Sequence, residues 1–593
     1  MKRKRKTDMQ EAKSKSSVLI NALLAAALSA VFAVVAGLLY SYTYGVNDDA
    51  FIGNVLMGAM TGSPDAHVVY IKYPLAVILT GLFKIIPSVN WHYALLISCF
   101  IVCIFLVNFR IFNNCKKLIN KFILSIVFML CFWFCLAKQI TMIHYSMCAG
   151  VLVGTAIFWF LTIKYKSTRL NLALNYIVCL MLLFVAYALR SRTLFMLLPL
   201  AAVAFIYKFI KAKPIFSKKN IIRWIVFPIV LFIGVGAIEL LHSAQYKDDK
   251  WQQFIKFNDA RTTIYDFYGL PEYEKNKEIY ESVGVDKTRQ YMYEQYYLEF
   301  TNGTKDNMLE VIADTRVAEF NKELPFAKRV IKTFKELPKN LFAKKYQPIS
   351  IFVIALFILE LIFAIIFKKK RAILFLALSF LATLVPWLYM IFMNKPVERV
   401  TYGIWVANFV TLIAILIDNI DFIREKLLDI NHKTLIKTVV SIIVILAFVL
   451  GIGLNYKKVQ KNVTRSIGSG KVRLALEEYC ESHPENLYIY ETQTFNTIGY
   501  DMKSMDNSKM NLIWPGGWCA KMPSMAKIWN GYGISDIEKF VIDNKNVYFV
   551  SYADIDLTYI EDFYQANYKK GNLTKVEEKT FDGVIFNIYQ LSK

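Results

Sequence analysis

The stretch Ser17–Asp49, SVLINALLAAALSAVFAVVAGLLYSYTYGVNDD, decides the architecture. Residues 17–40 form an unbroken apolar run long enough to cross a bilayer as a helix, which takes about 20 residues. Seven basic residues precede it in Met1–Ser16, and the run is too long for a signal-peptide core. It reads as a retained first span with the N-terminus in the cytoplasm. Asn47-Asp48-Asp49 then emerges on the opposite face.

The same pattern recurs along the chain. Of 593 residues, 56% are hydrophobic and 20% charged, against about 45–50% and 25% in soluble domains. This excludes disorder and argues against a purely soluble enzyme. Ten further runs qualify as spans: 91–110, 122–138, 143–163, 170–189, 193–210, 221–241, 348–367, 372–393, 402–420 and 434–455. The fold class expected is a polytopic α-helical membrane protein with about 11 transmembrane helices and a small extracytoplasmic C-terminal α/β domain. The boundary falls between 1–454 and 455–593.

Tyr73–Pro87 is apolar but short, about 22 Å as a helix against a core of about 30 Å. Treating it as interfacial or re-entrant puts the basic loops Lys2–Lys15, Arg110–Lys121, Lys164–Arg169, Lys208–Arg223, Lys368–Arg371 and Arg424–Lys437 inside. The formal net charge of +24 is then explained by topology, with no nucleic-acid partner implied. Outside lie a first loop, 41–90, a large loop, 242–347, and the tail. The large loop carries tyrosines and acids at helical spacings, so short amphipathic helices on the membrane surface are expected. In the tail, Lys471–Ser482 and Asp556–Tyr568 read as helices, and Asn486–Tyr490 and Asn546–Ser551 as buried strands. Asp582-Gly583 reads as a hairpin turn between two more.

Chemistry concentrates at the outer face. Asp48 and Asp49 stand at what the sequence suggests is the C-terminal end of the first helix, where acids oppose the dipole. They read either as solvated turn acids or as a general base or cation ligand. Arg190-Ser191-Arg192 lies in a minimal external turn, and Glu398-Arg399 in the short loop Asn394–Thr401. Their guanidinium groups either snorkel or pair locally, or they bind a lipid-linked phosphate. Lys72 and His67 are surface residues or phosphate contacts. Trp514 and Trp518 are core aromatics or a stacking face for sugar. Cys480 and Cys519 are the tail's two cysteines, and their spacing leaves a disulfide open. The chain has no phosphate-binding glycine loop, zinc spacing or nucleophile elbow.

The span followed by Asp48-Asp49, the Lys72-Tyr73-Pro74-Leu75 motif before a short interfacial helix, and an external C-terminal domain resemble the GT-C superfamily. Its members are polytopic glycosyltransferases using polyprenyl-phosphate-linked sugars, protein O-mannosyltransferases and aminoarabinose transferases among them. Lys72-Tyr73 stands where the family often has His-Pro, and Trp91-His92-Tyr93 where some members carry an arginine. The resemblance implies an inverting transferase with Asp48 as base or cation ligand, supported by Asp49. It implies lipid-phosphate contacts at Arg190, Arg192, Arg399 and Lys72, and no cofactor beyond a divalent cation at Asp48. The Lys-, Asn- and Ile-rich composition resembles that of low-GC bacteria, which makes the carrier undecaprenyl phosphate in the plasma membrane. The acceptor is an envelope glycan, lipid or protein. The rival classes are a lipid-linked-oligosaccharide flippase and a polysaccharide polymerase or ligase. Transporters place ionisable residues near the midplane, whereas the candidates here gather on one face.

Overall fold

The computed structural model describes residues 2–39, 42–115, 117–164, 169–212, 214–418, 459–462, 464–465, 468–497 and 511–592. Helix α1 (Lys2–Leu39) leads to a two-residue strand β1 (Thr43–Tyr44), then α2 (Asn47–Met57), α3 (Tyr73–Ile85), α4 (Trp91–Asn114) and α5 (Leu118–Thr141). Strand β2 (Met142–Ile143) precedes α6 (Tyr145–Leu161), α7 (Arg169–Lys211) and α8 (Lys218–Ala244). Five helices follow: α9 (Asp249–Arg261), α10 (Lys277–Ser282), α11 (Lys287–Glu294), α12 (Met308–Glu323) and α13 (Phe326–Leu341). The membrane part resumes with α14 (Ile349–Ile366), α15 (Lys370–Phe392) and α16 (Glu398–Asp418).

Among the described residues, eight helices are long and apolar enough to cross a membrane. The chain is a multi-pass membrane protein. One of the eight, α7, serves two predicted spans, because only Arg190 departs from helical geometry, at φ −158° and ψ 92°. The chain reverses there: the Phe160 ring meets both Tyr176 and Phe205, residues on either side of the break. The predicted span 143–163 is the shorter α6, buried throughout. The predicted span 434–455 and the basic loop Arg424–Lys437 lie outside the described residues. Helix α3, 13 residues long, is too short to span and leaves Val77, Ile78 and Ile85 exposed, as an interfacial helix should.

The two ends of the bundle differ in chemistry. Helix α4 carries His92 in its first turn and Arg110 near its end, about 27 Å apart along the axis. Arg110 donates to Asn175 at 2.6 Å, Lys121 to Asn21 at 2.8 Å and Lys208 to the Ile163 carbonyl at 2.7 Å. These cations occupy one end, and the acids at the start of α2 occupy the other.

The outer layer joins the large loop to the tail. Among the described residues, five strands in the order β4-β3-β5-β7-β6 make the tail's sheet: β3 (Leu487–Tyr490), β4 (Leu512–Ile513), β5 (Val547–Tyr552), β6 (Asn572–Phe581) and β7 (Val584–Ser592). The β6–β7 turn uses Asp582 and Gly583, both at positive φ, as a two-residue hairpin requires. The core under this sheet includes Met292, Tyr297 and Phe300 from the large loop. Arg289 of α11 makes a buried two-pronged pair with Glu538, at 2.6 and 3.1 Å. Much of the large loop is therefore packed on the tail rather than laid on the membrane. The exception is α13, where Phe326, Ile331 and Phe334 are exposed on one face and lysines line another. Cys480 and Cys519 are both buried free thiols.

Candidate active site

A short ladder builds the site. Strands β1 and β2 pair in parallel, Thr43 with Met142 and Tyr44 with Ile143, and the Gly45 amide extends the ladder to the Ile143 carbonyl at 2.8 Å. A Cβ on Gly45 would stand 2.9 Å from the Met142 carbonyl oxygen, so only glycine fits there. The ladder sets the start of α2 beside the start of α6. Asp48 and Asp49 thus occupy the first turn of a new helix rather than the end of α1. This corrects the sequence expectation. The break at residues 42–46 turns an unfavourable dipole end into a favourable one.

The two acids face opposite ways. Asp49 is fully buried. The Tyr145 amide donates to it at 3.1 Å, His92 Nε2 lies at 3.3 Å, and His144 Nε2 lies 3.8 Å from its second oxygen. Burial pushes its pKa up to about 6, partly offset by His92 and the Tyr145 amide. Asp49 ties α2, α4 and α6 together.

Asp48 points to the mouth of the site and is 20% exposed. Arg399, in the first turn of α16, approaches it at 3.9 Å. Arg261, Arg190 and Asp266 are its other charged neighbours. Burial raises the Asp48 pKa above the usual carboxylate range, opposed chiefly by Arg399. The Arg190 guanidinium sits over the Tyr70 and Tyr145 rings, at 5.2 and 5.4 Å. Arg261, buried, is oriented by Asn258 at 2.9 Å and donates to the Tyr70 hydroxyl at 3.3 Å. A π-helical turn, Thr262–Tyr268, follows and presents Asp266, which pairs with Lys395 at 3.0 Å. Above Tyr70, Trp518 of the tail packs edge-on at 5.2 Å.

The structure thus brings Asp48, Arg190 and Arg399 together and adds Arg261, Asp266, Lys395, Tyr70 and Tyr145. The signal for Arg261 and Asp266 was present, as charged residues in an aromatic stretch of the large loop. Only the fold shows that this stretch returns to the bundle mouth. Arg192 is exposed and has Asp259 as its charged neighbour. Lys72 is held by Glu239 at 2.7 Å. His67 pairs with Asp65 at 2.6 Å and stacks on Trp251. Glu398 turns away from Arg399 and pairs with Lys138 at 3.0 Å. Trp514 stacks on Phe495 at 4.0 Å, a core role. Among the described residues, no three His, Cys, Asp or Glu side chains converge to hold a metal ion. Three arginines crowd Asp48, a setting hostile to another cation.

No protein-family model matches the chain, and no curated protein matches it. Two solved structures align along nearly its whole length. ArnT from Cupriavidus metallidurans bound to undecaprenyl phosphate is 9% identical over 96% of this chain and 97% of that one, with a TM-score of 0.39. The same protein in the apo state is 10% identical over the same shares, with a TM-score of 0.38. The overlap is too loose to carry any residue's role across.

Proposed function

We propose that this chain is an integral membrane glycosyltransferase of the GT-C kind. It moves a sugar from a polyprenyl-phosphate carrier to a cell-envelope glycan, lipid or protein acceptor at the outer face of a bacterial plasma membrane. The observation that carries this reading is one partly open carboxylate, Asp48, facing Arg399 with Arg190 and Arg261 among its neighbours, at the ends of spanning helices.

The chemistry follows from that pairing. An acceptor hydroxyl hydrogen-bonds to Asp48 and attacks the anomeric carbon from the face opposite the phosphate. The new glycosidic C–O bond forms as the bond to phosphate oxygen breaks, and the anomeric centre inverts. The acceptor's proton passes to Asp48, whose raised pKa makes it a stronger base than a free carboxylate. Polyprenyl phosphate leaves as a dianion, and the guanidinium groups stabilise the charge it gains. It needs no strong general acid, because the leaving group is already acidic. The lipid stays in the bilayer while the polar acceptor arrives from water.

The test is Asp48→Asn in the purified full chain, supplied with a labelled undecaprenyl-phosphate sugar. General-base assistance contributes about 10²–10⁴ in rate, so transfer should fall by that factor while donor binding persists. Transfer at the wild-type rate would refute the role of Asp48.

A further inference from the structure

A cavity of about 190 Å³ opens beside this site where the ends of α5, α14 and α16 meet. Such a volume holds roughly six waters, enough for one monosaccharide ring in part or whole. Lys138, from the last turn of α5, and Glu398, the first residue of α16, line it as an ion pair, each more than a third exposed. Gln139, Lys345, Gln347, Tyr402 and Asn462 add further polar groups, and apolar side chains line the rest. The Tyr402 hydroxyl is already committed to the Lys345 carbonyl at 2.8 Å. The long side chains of Lys138 and Glu398 are the adjustable groups.

Such a lining suits one ligand class better than others. A lone anion would prefer several cations without a carboxylate among them, and an apolar tail would have to displace water from the Lys138–Glu398 pair. A vicinal diol asks for a donor and an acceptor side by side. One hydroxyl gives its proton to a carboxylate, and its neighbour accepts from an ammonium or amide. Lys138 and Glu398 present that pair 3.0 Å apart. The amides of Gln139 and Asn462 can each serve a further hydroxyl.

The cavity also stands in a telling place. Glu398 and Arg399 are consecutive residues of one helical turn, the first facing the cavity and the second facing Asp48. A sugar held by Glu398 therefore lies across a single turn of α16 from the carboxylate that takes its proton. We infer that this cavity is a carbohydrate subsite that recognises vicinal hydroxyls of a glycan or glycolipid acceptor. The assignment rests on the transferase reading for its purpose, and on the cavity's own lining for its ligand.

The experiment reads binding rather than transfer, so the two readings fail separately. The full chain in nanodiscs is titrated with methyl α-glucoside, with maltose and, as a separate arm, with glycerol 1-phosphate, followed by saturation-transfer NMR. The expected result is binding of the two sugars, weakened about tenfold by Glu398→Gln and by Asn462→Ala and unchanged by Arg192→Ala. Glycerol 1-phosphate should bind more weakly than the sugars. Retained donor-lipid binding in the Glu398→Gln protein shows that its fold is intact. The assignment is overturned if neither sugar binds, if both variants bind as wild type does, if Arg192→Ala weakens sugar binding equally, or if glycerol 1-phosphate is preferred. Sugar binding through Glu398 in a chain with no transferase activity would uphold the subsite and sink the transferase reading.

Discussion

The pair Asp48-Asp49 shows how two adjacent residues of one type acquire different work from their surroundings. Asp49 titrates in a sealed pocket, and its pKa of about 6 stands above the ordinary 3.8. The fold therefore prefers its protonated form. That preference adds stability at pH below about 4 and is lost as pH rises through 6, by up to about 3 kcal/mol. Asp49→Asn has nothing to titrate there. The wild-type Tm, measured against that variant, should decline between pH 4 and 7, and a pH-independent difference would contradict the assignment. The arginines invite a parallel comparison. Arg399→Ala should weaken binding of undecaprenyl phosphate by about 1.5–3 kcal/mol, with Arg399→Lys recovering part because the planar fork is lost. Arg192→Ala should leave it unchanged, since its charged neighbour is Asp259 rather than Asp48. Equal losses in both alanine variants would reject this division. The sequence pointed to Asp48, Arg190 and Arg399 because external charges in short loops are conspicuous. Lys72 was conspicuous for the same reason, yet a distant partner, Glu239, engages it. Pairing across 167 positions leaves no local signal.

At the scale of elements, the relation between α6 and α16 decides whether the site exists. Gly150 and Gly154 of α6 face Gly403 and Ala407 of α16 so closely that a Cβ on Gly150 would stand 2.5 Å from the Gly403 Cα. Small residues one turn apart let two membrane helices touch backbone to backbone. Gly403 is one turn from Arg399 and Gly150 about one turn from Tyr145, so this contact sets how near Arg399 comes to Asp48. Gly150→Val should force the helices apart, cost about 1–3 kcal/mol in stability and raise KM for the lipid donor. A variant with wild-type KM and Tm would show that the contact is dispensable. The Gly-x-x-x-Gly spacing was legible in an apolar run, but its partner helix was not, because apolar runs alike in composition give no pairing information. The helix-by-helix reading of spans fared better, since length and hydropathy are local. The reading of the large loop as membrane-surface helices fared worse. Its α11 packs on the tail through Arg289 and Glu538, a long-range match that periodicity does not reveal. Within the large loop it is α13, with apolar and cationic stripes on one helix, that carries the pattern of an interfacial position.

The whole molecule is polarised along the bundle axis. Arg110, Lys121 and Lys208 anchor one end through Asn175, Asn21 and the Ile163 carbonyl, while Asp48 and the tail share the other. The charge rule predicts that the first end is cytoplasmic. Single cysteines placed at Lys117 and at Asp582 should therefore react from opposite sides of sealed vesicles with a membrane-impermeant maleimide. Labelling of both from one side would overturn the topology and with it the external location of the proposed reaction.

The Trp518 contact with Tyr70 has a consequence in time as well as in space. Asp48 leaves the ribosome early, among the first helices to enter the membrane, whereas Trp518 is made hundreds of residues later. In between come most of the spans and the large loop. The roof over the carboxylate is thus the last part delivered. A nascent chain holds Asp48 and its neighbouring arginines before Trp518 exists, and Trp518 reaches Tyr70 only when the tail has folded. On the proposed transferase reading, assembly itself then acts as the safeguard. An unfinished copy can then sit in the bilayer among donor lipids without the tail contact that completes the site.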